Sequence, residues 1–155
     1  MRPLYETQEE LDNEDSIASI IKIKWGLTAI KMPRSYHLDY ALRDGQYNIR
    51  AFAEIKTRTT NKLKYSTYLI SLAKIMNARR LTEYTGLSSI LIVKWLDEVG
   101  WINLKTDGKL GFGGRRDRND WQDQELVIFL PIEQFKSLKE VGNDRCIWNS
   151  RFSSS

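Results

Sequence analysis

The sequence predicts a single α/β domain in which a central mixed β-sheet is flanked by helices, in the order helix, three strands, helix, strand (αβββαβ). Three observations predict it. A helical apolar period opens the chain; two extended segments follow on either side of an Asp-Gly turn; and a second helical period leads into a short, nearly continuous run of β-branched and aromatic residues. A chain of 155 residues closes one core but not two, so one site is sought. The domain is expected over 1–150, with 151–155 a frayed, serine-rich tail.

The elements follow in order. From Thr7 to Trp25 the residues Leu11, Ala18, Ile21 and Trp25 recur at three- and four-residue spacing, one face of an amphipathic helix, and Glu14 falls on the same stripe. The short run Leu27 to Met32 reads as a strand. Tyr36 to Arg43 and Asn48 to Arg58 then read as an antiparallel hairpin about Asp44-Gly45. Tyr65 to Tyr84 takes up helical period through Leu69, Leu72 and Met76, with Gly86 as its stop. Ser88 to Trp95 reads as a strand buried on both faces, and a turn through Asp97 leads to a partner over Trp101 to Leu104. Thr106 to Gln124, rich in glycine and arginine, has no clean period and is expected to be a mobile loop. Leu126 to Leu130 makes a further strand, and Pro131 opens a last short helix to Val141.

Composition narrows the chemistry. No apolar run approaches the length a bilayer requires and no secretory signal opens the chain, so a cytoplasmic protein without a membrane role is expected. A single cysteine, Cys146, and a single histidine, His37, cannot build a disulfide or a Cys/His zinc cluster, so any metal must sit among oxygen ligands. The formal charge of +4 is unevenly spread: the first sixteen residues hold six acids against Arg2, leaving 23 of the 24 basic residues with only 14 of the 20 acids, a net +9. Such a body suits a polyanion, although a solvated charged surface explains it equally well.

Clustered carboxylates holding a hard cation supply what phosphodiester cleavage needs, a place for developing negative charge and an activated water. On the second hairpin strand Phe52, Glu54 and Lys56 alternate onto one face. Glu54 and Lys56 thus set two charges where burial is expected, which is costly unless they are paired or metal-bound. The plainer account is a surface ion pair on an edge strand. Whether Asp39 meets Glu54 depends on the hairpin. A two-residue Asp44-Gly45 turn pairs Asp39 with Arg50 and leaves Glu54 roughly 13 Å away. A looser turn or a bulge, pairing Arg43 with Asn48, sets Asp39 opposite Phe52 with Glu54 diagonal at about 7–8 Å.

Glu14 on a first helix, Asp39 on a strand, Glu54-Ile55-Lys56 on the next, then helix and strand, resemble the PD-(D/E)XK phosphodiesterase superfamily, which includes restriction endonucleases and archaeal Holliday-junction resolvases. The likeness spans about residues 7 to 104, with Leu38 where the family name has proline. It implies a restriction-endonuclease-like fold and a nuclease that hydrolyses DNA phosphodiesters with Mg²⁺, or Mn²⁺ in its place. It further implies Asp39, Glu54 and the Ile55 backbone carbonyl as metal ligands, with Lys56 orienting or activating the attacking water. Glu14 resembles the helix acid that holds a second cation or its waters; Glu10 or Asp15 takes that place if the helix is rotated. Lys74 lies where relatives set a polar residue facing the site, as do Tyr68 and Ser71.

Lys74 is a candidate for nucleic-acid contact, against a solvated lysine, and Arg115, Arg116 and Arg118, with Lys105 and Lys109 before them, are candidates for cradling a phosphate backbone, against the alternative of a solvated loop. Trp121 is the tryptophan to test for base stacking, and His37 is read as a structural neighbour of Asp39. Small size points to structure-selective or weakly specific cutting, as a homodimer or with a partner protein. The alternative function is a non-cleaving nucleic-acid-binding or interaction module on the same fold.

Overall fold

A computed structural model describes residues 8–36, 38–114 and 124–138. The chain runs α1 (Gln8–Trp25), β1 (Thr28–Lys31), β2 (Tyr40–Arg43), β3 (Ile49–Thr57), β4 (Thr67–Ser71), α2 (Leu72–Thr85), β5 (Ser88–Lys94), β6 (Val99–Asn103), β7 (Lys109–Gly114), β8 (Gln124–Pro131) and β9 (Lys136–Ser137). Six strands form a mixed sheet in the order β1-β2-β3-β5-β6-β9, and β4-β8-β7 form a smaller one. Only β3 and β5 run parallel in the large sheet. A parallel pair needs a long crossover, and the segment holding β4 and α2 supplies it. The expected order of helix, three strands, helix and strand is present, with β4 inserted.

The large sheet separates two cores. Alternation sends Tyr40, Leu42, Ala51, Ala53 and Ile55 to one face, where Ile17, Ile21 and Trp25 of α1 cover them. Trp25 meets Trp101 edge to face, with ring centroids 5.8 Å apart. The other face carries Ala41, Phe52, Leu91 and Val93, packed against Tyr68 and Ile70 of β4, Ile75 and Ala78 of α2, and Leu130 of β8. β5 is therefore buried on both sides, as its apolar run predicts.

The β2–β3 hairpin is looser than Asp-Gly chemistry alone suggests. The Asp44 carboxylate accepts from the backbone N–H of Gln46 (2.8 Å) and Asn48 (2.9 Å) and from Arg50 Nε (2.7 Å). The backbone N–H of Asp44 donates to the Asn48 carbonyl. Closing this five-residue turn puts Tyr47 at φ 66°, a left-handed conformation uncommon for an aromatic residue. Arg43 then pairs with Ile49 and Leu42 with Ala51, so Arg50 is the extra residue of a bulge. The expected pairing of Arg43 with Asn48 is thus corrected by one residue at the turn and by a second at the bulge.

Other boundaries differ for physical reasons. The segment expected as one extended run from Tyr36 starts instead with a 3-10 turn at Arg34–Tyr36, and β2 begins at Tyr40. The helix expected from Tyr65 begins at Leu72, because Thr67 to Ser71 alternate as a strand with Tyr68 and Ile70 buried and Leu69 exposed. Ser71 ends that strand and caps α2, its hydroxyl accepting from the Ala73 N–H. Gly86 closes α2 at φ 76°, its N–H bonded to the Thr82 carbonyl at 2.8 Å, as its stop role predicts.

The glycine-rich stretch read as a mobile loop holds β7 over Lys109–Gly114, paired with β8. Its glycines leave room for the neighbouring strand: a Cβ on Gly111 would lie 2.4 Å from the Phe129 ring. A 3-10 turn, Ile132–Gln134, and the short β9 stand where the first part of a last helix was expected. Residues 139–155, and with them the end of that helix and the tail, lie outside the described residues.

Candidate active site

β3 carries the centre of the site. Its side chains Phe52, Glu54 and Lys56 alternate onto the face that packs against β4 and α2, away from α1. Glu54 is fully buried, with 0% of its surface exposed. A carboxylate taken out of water requires compensating charge. Lys56 Nζ lies 3.3 Å and Lys74 Nζ 3.2 Å from Oε1, and Lys74 also donates to Oε2 at 3.3 Å. Both ammoniums are within ion-pair distance of Oε1, yet no donor among the described residues is aligned to hydrogen-bond to it. Lys74 sits in the first turn of α2, which the Ser71 cap starts at this point.

Asp39 lies in the bend before β2 rather than within a strand, and is half-buried. Its carbonyl still accepts from the Met32 N–H at 2.8 Å, which extends the β1–β2 pairing by one step. Ala41 pairs with Phe52 and Tyr40 with Ala53, so the next step of this register sets Asp39 across from Glu54. The expected position of Asp39 is opposite Phe52 and diagonal to Glu54; the longer turn and the bulge at Arg50, one residue each, shift it to the step opposite Glu54. Directly paired residues of antiparallel strands share a face.

Glu14 is held elsewhere. The Tyr40 hydroxyl donates to its Oε2 at 2.6 Å and Lys31 Nζ lies 3.2 Å from the same oxygen. Tyr40 belongs to the core beneath α1, the face of the sheet opposite Glu54. Among the described residues no group of three or more Asp, Glu, His or Cys side chains converges where an ion could be held. Glu14, Asp39 and Glu54 therefore do not form one three-acid cluster.

A divalent cation is nonetheless compatible with the remaining donor set. The Asp39 and Glu54 carboxylates and the Ile55 carbonyl are hard oxygen donors, the type that Mg²⁺ and Mn²⁺ prefer. The buried Oε1 without an aligned donor is the atom such an ion would satisfy.

The structure adds two residues on this face. Arg58, two positions beyond Lys56, places its guanidinium 4.8 Å from the centre of the Tyr68 ring. Tyr68, expected on a helix, is instead on β4 and buried, wedged edge-on between Trp95 and Phe135. Its hydroxyl has no partner among the described residues. Burial pushes the phenol up to about 12 from 10.0, with Arg58 opposing that shift and Glu54 adding to it. Period two along β3, which sets Glu54 and Lys56 on one face, extends to Arg58, whereas Tyr68 joins this face only because Thr67 to Ser71 are a strand. Ser71, besides capping α2, donates to Glu125 on β8 at 3.2 Å. His37, Arg115, Arg116, Arg118 and Trp121 lie outside the described residues.

The chain is similar over residues 1–138 to the family described as "Phage putative PDDEXK endonuclease". No curated protein matches it. Among solved structures it resembles Hjc, a Holliday junction resolvase of Archaeoglobus fulgidus, with a TM-score of 0.57 at 11% identity over 86% of this chain and 99% of that one. It also resembles a nuclease from a fusselovirus, with a TM-score of 0.51 at 16% identity over 97% of this chain and 99% of that one. At such identities these two likenesses show a shared fold.

Proposed function

Because this chain belongs to the phage PD-(D/E)XK endonuclease family and is a nuclease, we propose that it hydrolyses DNA phosphodiesters with Mg²⁺ at the Asp39–Glu54–Lys56 site. The observation that carries the reading is the fully buried Glu54 carboxylate on β3, across the register from Asp39, with Lys56 on its own face. Asp39, Glu54 and the Ile55 carbonyl would hold the cation, and Mn²⁺ suits the same oxygens. When bound, the ion supplies Lewis acidity at the phosphate and lowers the pKa of a bound water.

The protein's own groups do the rest. Glu54 and Asp39 fix the position of the reacting phosphate by fixing its counter-charge. The Lys56 ammonium, partly solvent-exposed beside Glu54, orients the attacking water and offsets charge developing on the phosphate. Lys74 approaches Glu54 from α2 and would offer its ammonium to a phosphate oxygen beside the carboxylate. Glu14, held by Tyr40 and Lys31 on the face of the sheet opposite Glu54, takes no part in holding the ion. The proposal extends to structure-selective or weakly specific cutting, as a homodimer or with a partner protein.

The purified chain incubated with single-stranded, double-stranded and branched DNA should cleave in Mg²⁺ or Mn²⁺ and not in EDTA. Asp39→Ala should lower the rate by about 10²–10³-fold or more, the size of losing one group that stabilises the transition state. Cleavage that survives Asp39→Ala would remove this assignment, and binding without cleavage in any metal would favour a non-cutting module.

A further inference from the structure

The face around Glu54 holds more cations than its acids neutralise. Lys56 and Lys74 share one buried carboxylate, while Arg58, exposed one alternate position beyond Lys56, has no carboxylate partner among the described residues. Its Nη1 donates to the Thr57 carbonyl at 3.1 Å, and its guanidinium carbon lies over the Tyr68 ring, 4.8 Å from the centroid. The backbone N–H of Arg58 also donates to the Lys94 carbonyl at 2.8 Å, so the residue is anchored at the carboxyl end of β3.

Stacking has a geometric consequence. A guanidinium lying over an aromatic ring loses rotational freedom, and with Nη1 donating to the Thr57 carbonyl its remaining in-plane N–H groups suit the oxygens of a phosphate. The ring beneath is itself immobile: Tyr68 is buried, its edges packed on Trp95 (centroids 6.4 Å apart) and Phe135 (5.8 Å). A long exposed side chain is thereby ordered before any ligand arrives, which lowers the entropy cost of gripping one.

We infer that Arg58, braced on the ring of Tyr68, is a phosphate clamp that binds the DNA strand one step away from the phosphate at Glu54. This rests on reading the Glu54 face as the nuclease site, and it assigns substrate binding to two residues outside the acid-x-lysine motif. The period of β3 sets Arg58 roughly 6.6 Å beyond Lys56 on the same face, so the two cations address successive positions along one backbone. Contact with phosphate carries no base preference, so the clamp sets register and affinity rather than sequence choice.

The test is binding of fluorescein-labelled double-stranded and branched DNA to the full chain in EDTA, read by anisotropy over a range of NaCl, with cleavage in Mg²⁺ measured in parallel. Arg58→Ala should weaken binding about tenfold and flatten the slope of log K against log salt by about one unit, the loss of one phosphate contact. Arg58→Lys should restore the slope but not the full affinity, since lysine carries the charge without the planar fork. Tyr68→Leu, shown to be folded by its melting curve, should weaken binding in the direction of Arg58→Ala. Lys22→Ala, on α1 across the sheet, is the control for general surface charge. Wild-type chain that does not bind, an Arg58→Ala slope equal to wild type, or an equal loss in Lys22→Ala overturns the clamp. Wild-type chain that binds with the Arg58 signature but never cuts retires the nuclease site and leaves the clamp standing.

Discussion

Glu54 and Tyr68 are both buried polar groups, and they are compensated to different degrees. Glu54 has two ammoniums within 3.3 Å, so Glu54→Gln leaves Lys56 and Lys74 without their counter-charge and disturbs folding as well as chemistry. Tyr68 has no hydrogen-bond partner among the described residues. An unmade buried hydrogen bond costs about 1–3 kcal/mol, so Tyr68→Phe, which keeps the ring, should raise the melting temperature by a few degrees at pH 7. The phenol also gives a signature in alkali. Folding moves its pKa from 10.0 to about 12, chiefly because burial disfavours the phenolate. The unfolded chain loses that proton first, so the associated stability is intact below pH 10 and is lost as the pH rises from 10 to 12. Its size is roughly 2–3 kcal/mol. Denaturant titrations of wild type and Tyr68→Phe across that window should diverge; parallel curves would show that the phenol is not buried as described.

The hairpin and the two-part crossover show how short elements deliver these residues. Asp44 organises the β2–β3 turn through two backbone N–H groups and Arg50. Those hydrogen bonds, with the Asn48 N–H first and Arg50 next, hold its carboxyl below the usual range, so this contribution is lost as the pH falls. The bulge that follows sets Asp39 across from Glu54, which a tight Asp-Gly turn would prevent. In the crossover, Ser71 both ends β4 and caps α2, and so fixes the point at which Lys74 faces Glu54. The β7–β8 ladder depends on small residues in another way. A Cβ on Gly108 would sit 2.5 Å from the Phe129 carbonyl oxygen, an atom that cannot rotate away. Gly108→Ala should therefore destabilise this sheet by about 1–3 kcal/mol in urea unfolding and speed amide exchange in β7; an unchanged exchange rate would show the strand yields freely.

For the molecule as a whole, the two-core sheet is rigid where the site needs it: β3 and β5 pair in parallel from Ala51 with Ser88 to Thr57 with Lys94. A cation entering this frame competes with Lys56 and Lys74 for Glu54, so its affinity without DNA should be weak, in the millimolar range. Binding to the native state alone still raises stability by mass action, about 2.7 kcal/mol at a hundredfold excess over Kd. Saturating MgCl₂ should therefore raise the melting temperature of wild type by several degrees, and Asp39→Asn should erase the shift at matched ionic strength. A shift that persists in Asp39→Asn would place the cation elsewhere.

Periodicity alone carries the amphipathic α1, the doubly buried β5 and the shared face of Glu54 and Lys56, because each follows from local backbone geometry and side-chain alternation. Gly86 as the end of α2 is equally local, a demand for left-handed φ. The register that carries Asp39 toward Glu54 is not local: it depends on a five-residue turn and a bulge, held by Asp44, Arg50 and the strands on either side. β4 is hidden for the same reason, since its partner β8 lies more than fifty residues beyond it, whereas β7, close to β8 in sequence, is hidden by glycines that carry no apolar alternation. Chain order thus supplied the candidate acids and the lysine, and tertiary pairing chose their distances, sent Glu14 to Tyr40 and brought Lys74, Arg58 and Tyr68 to the face of Glu54.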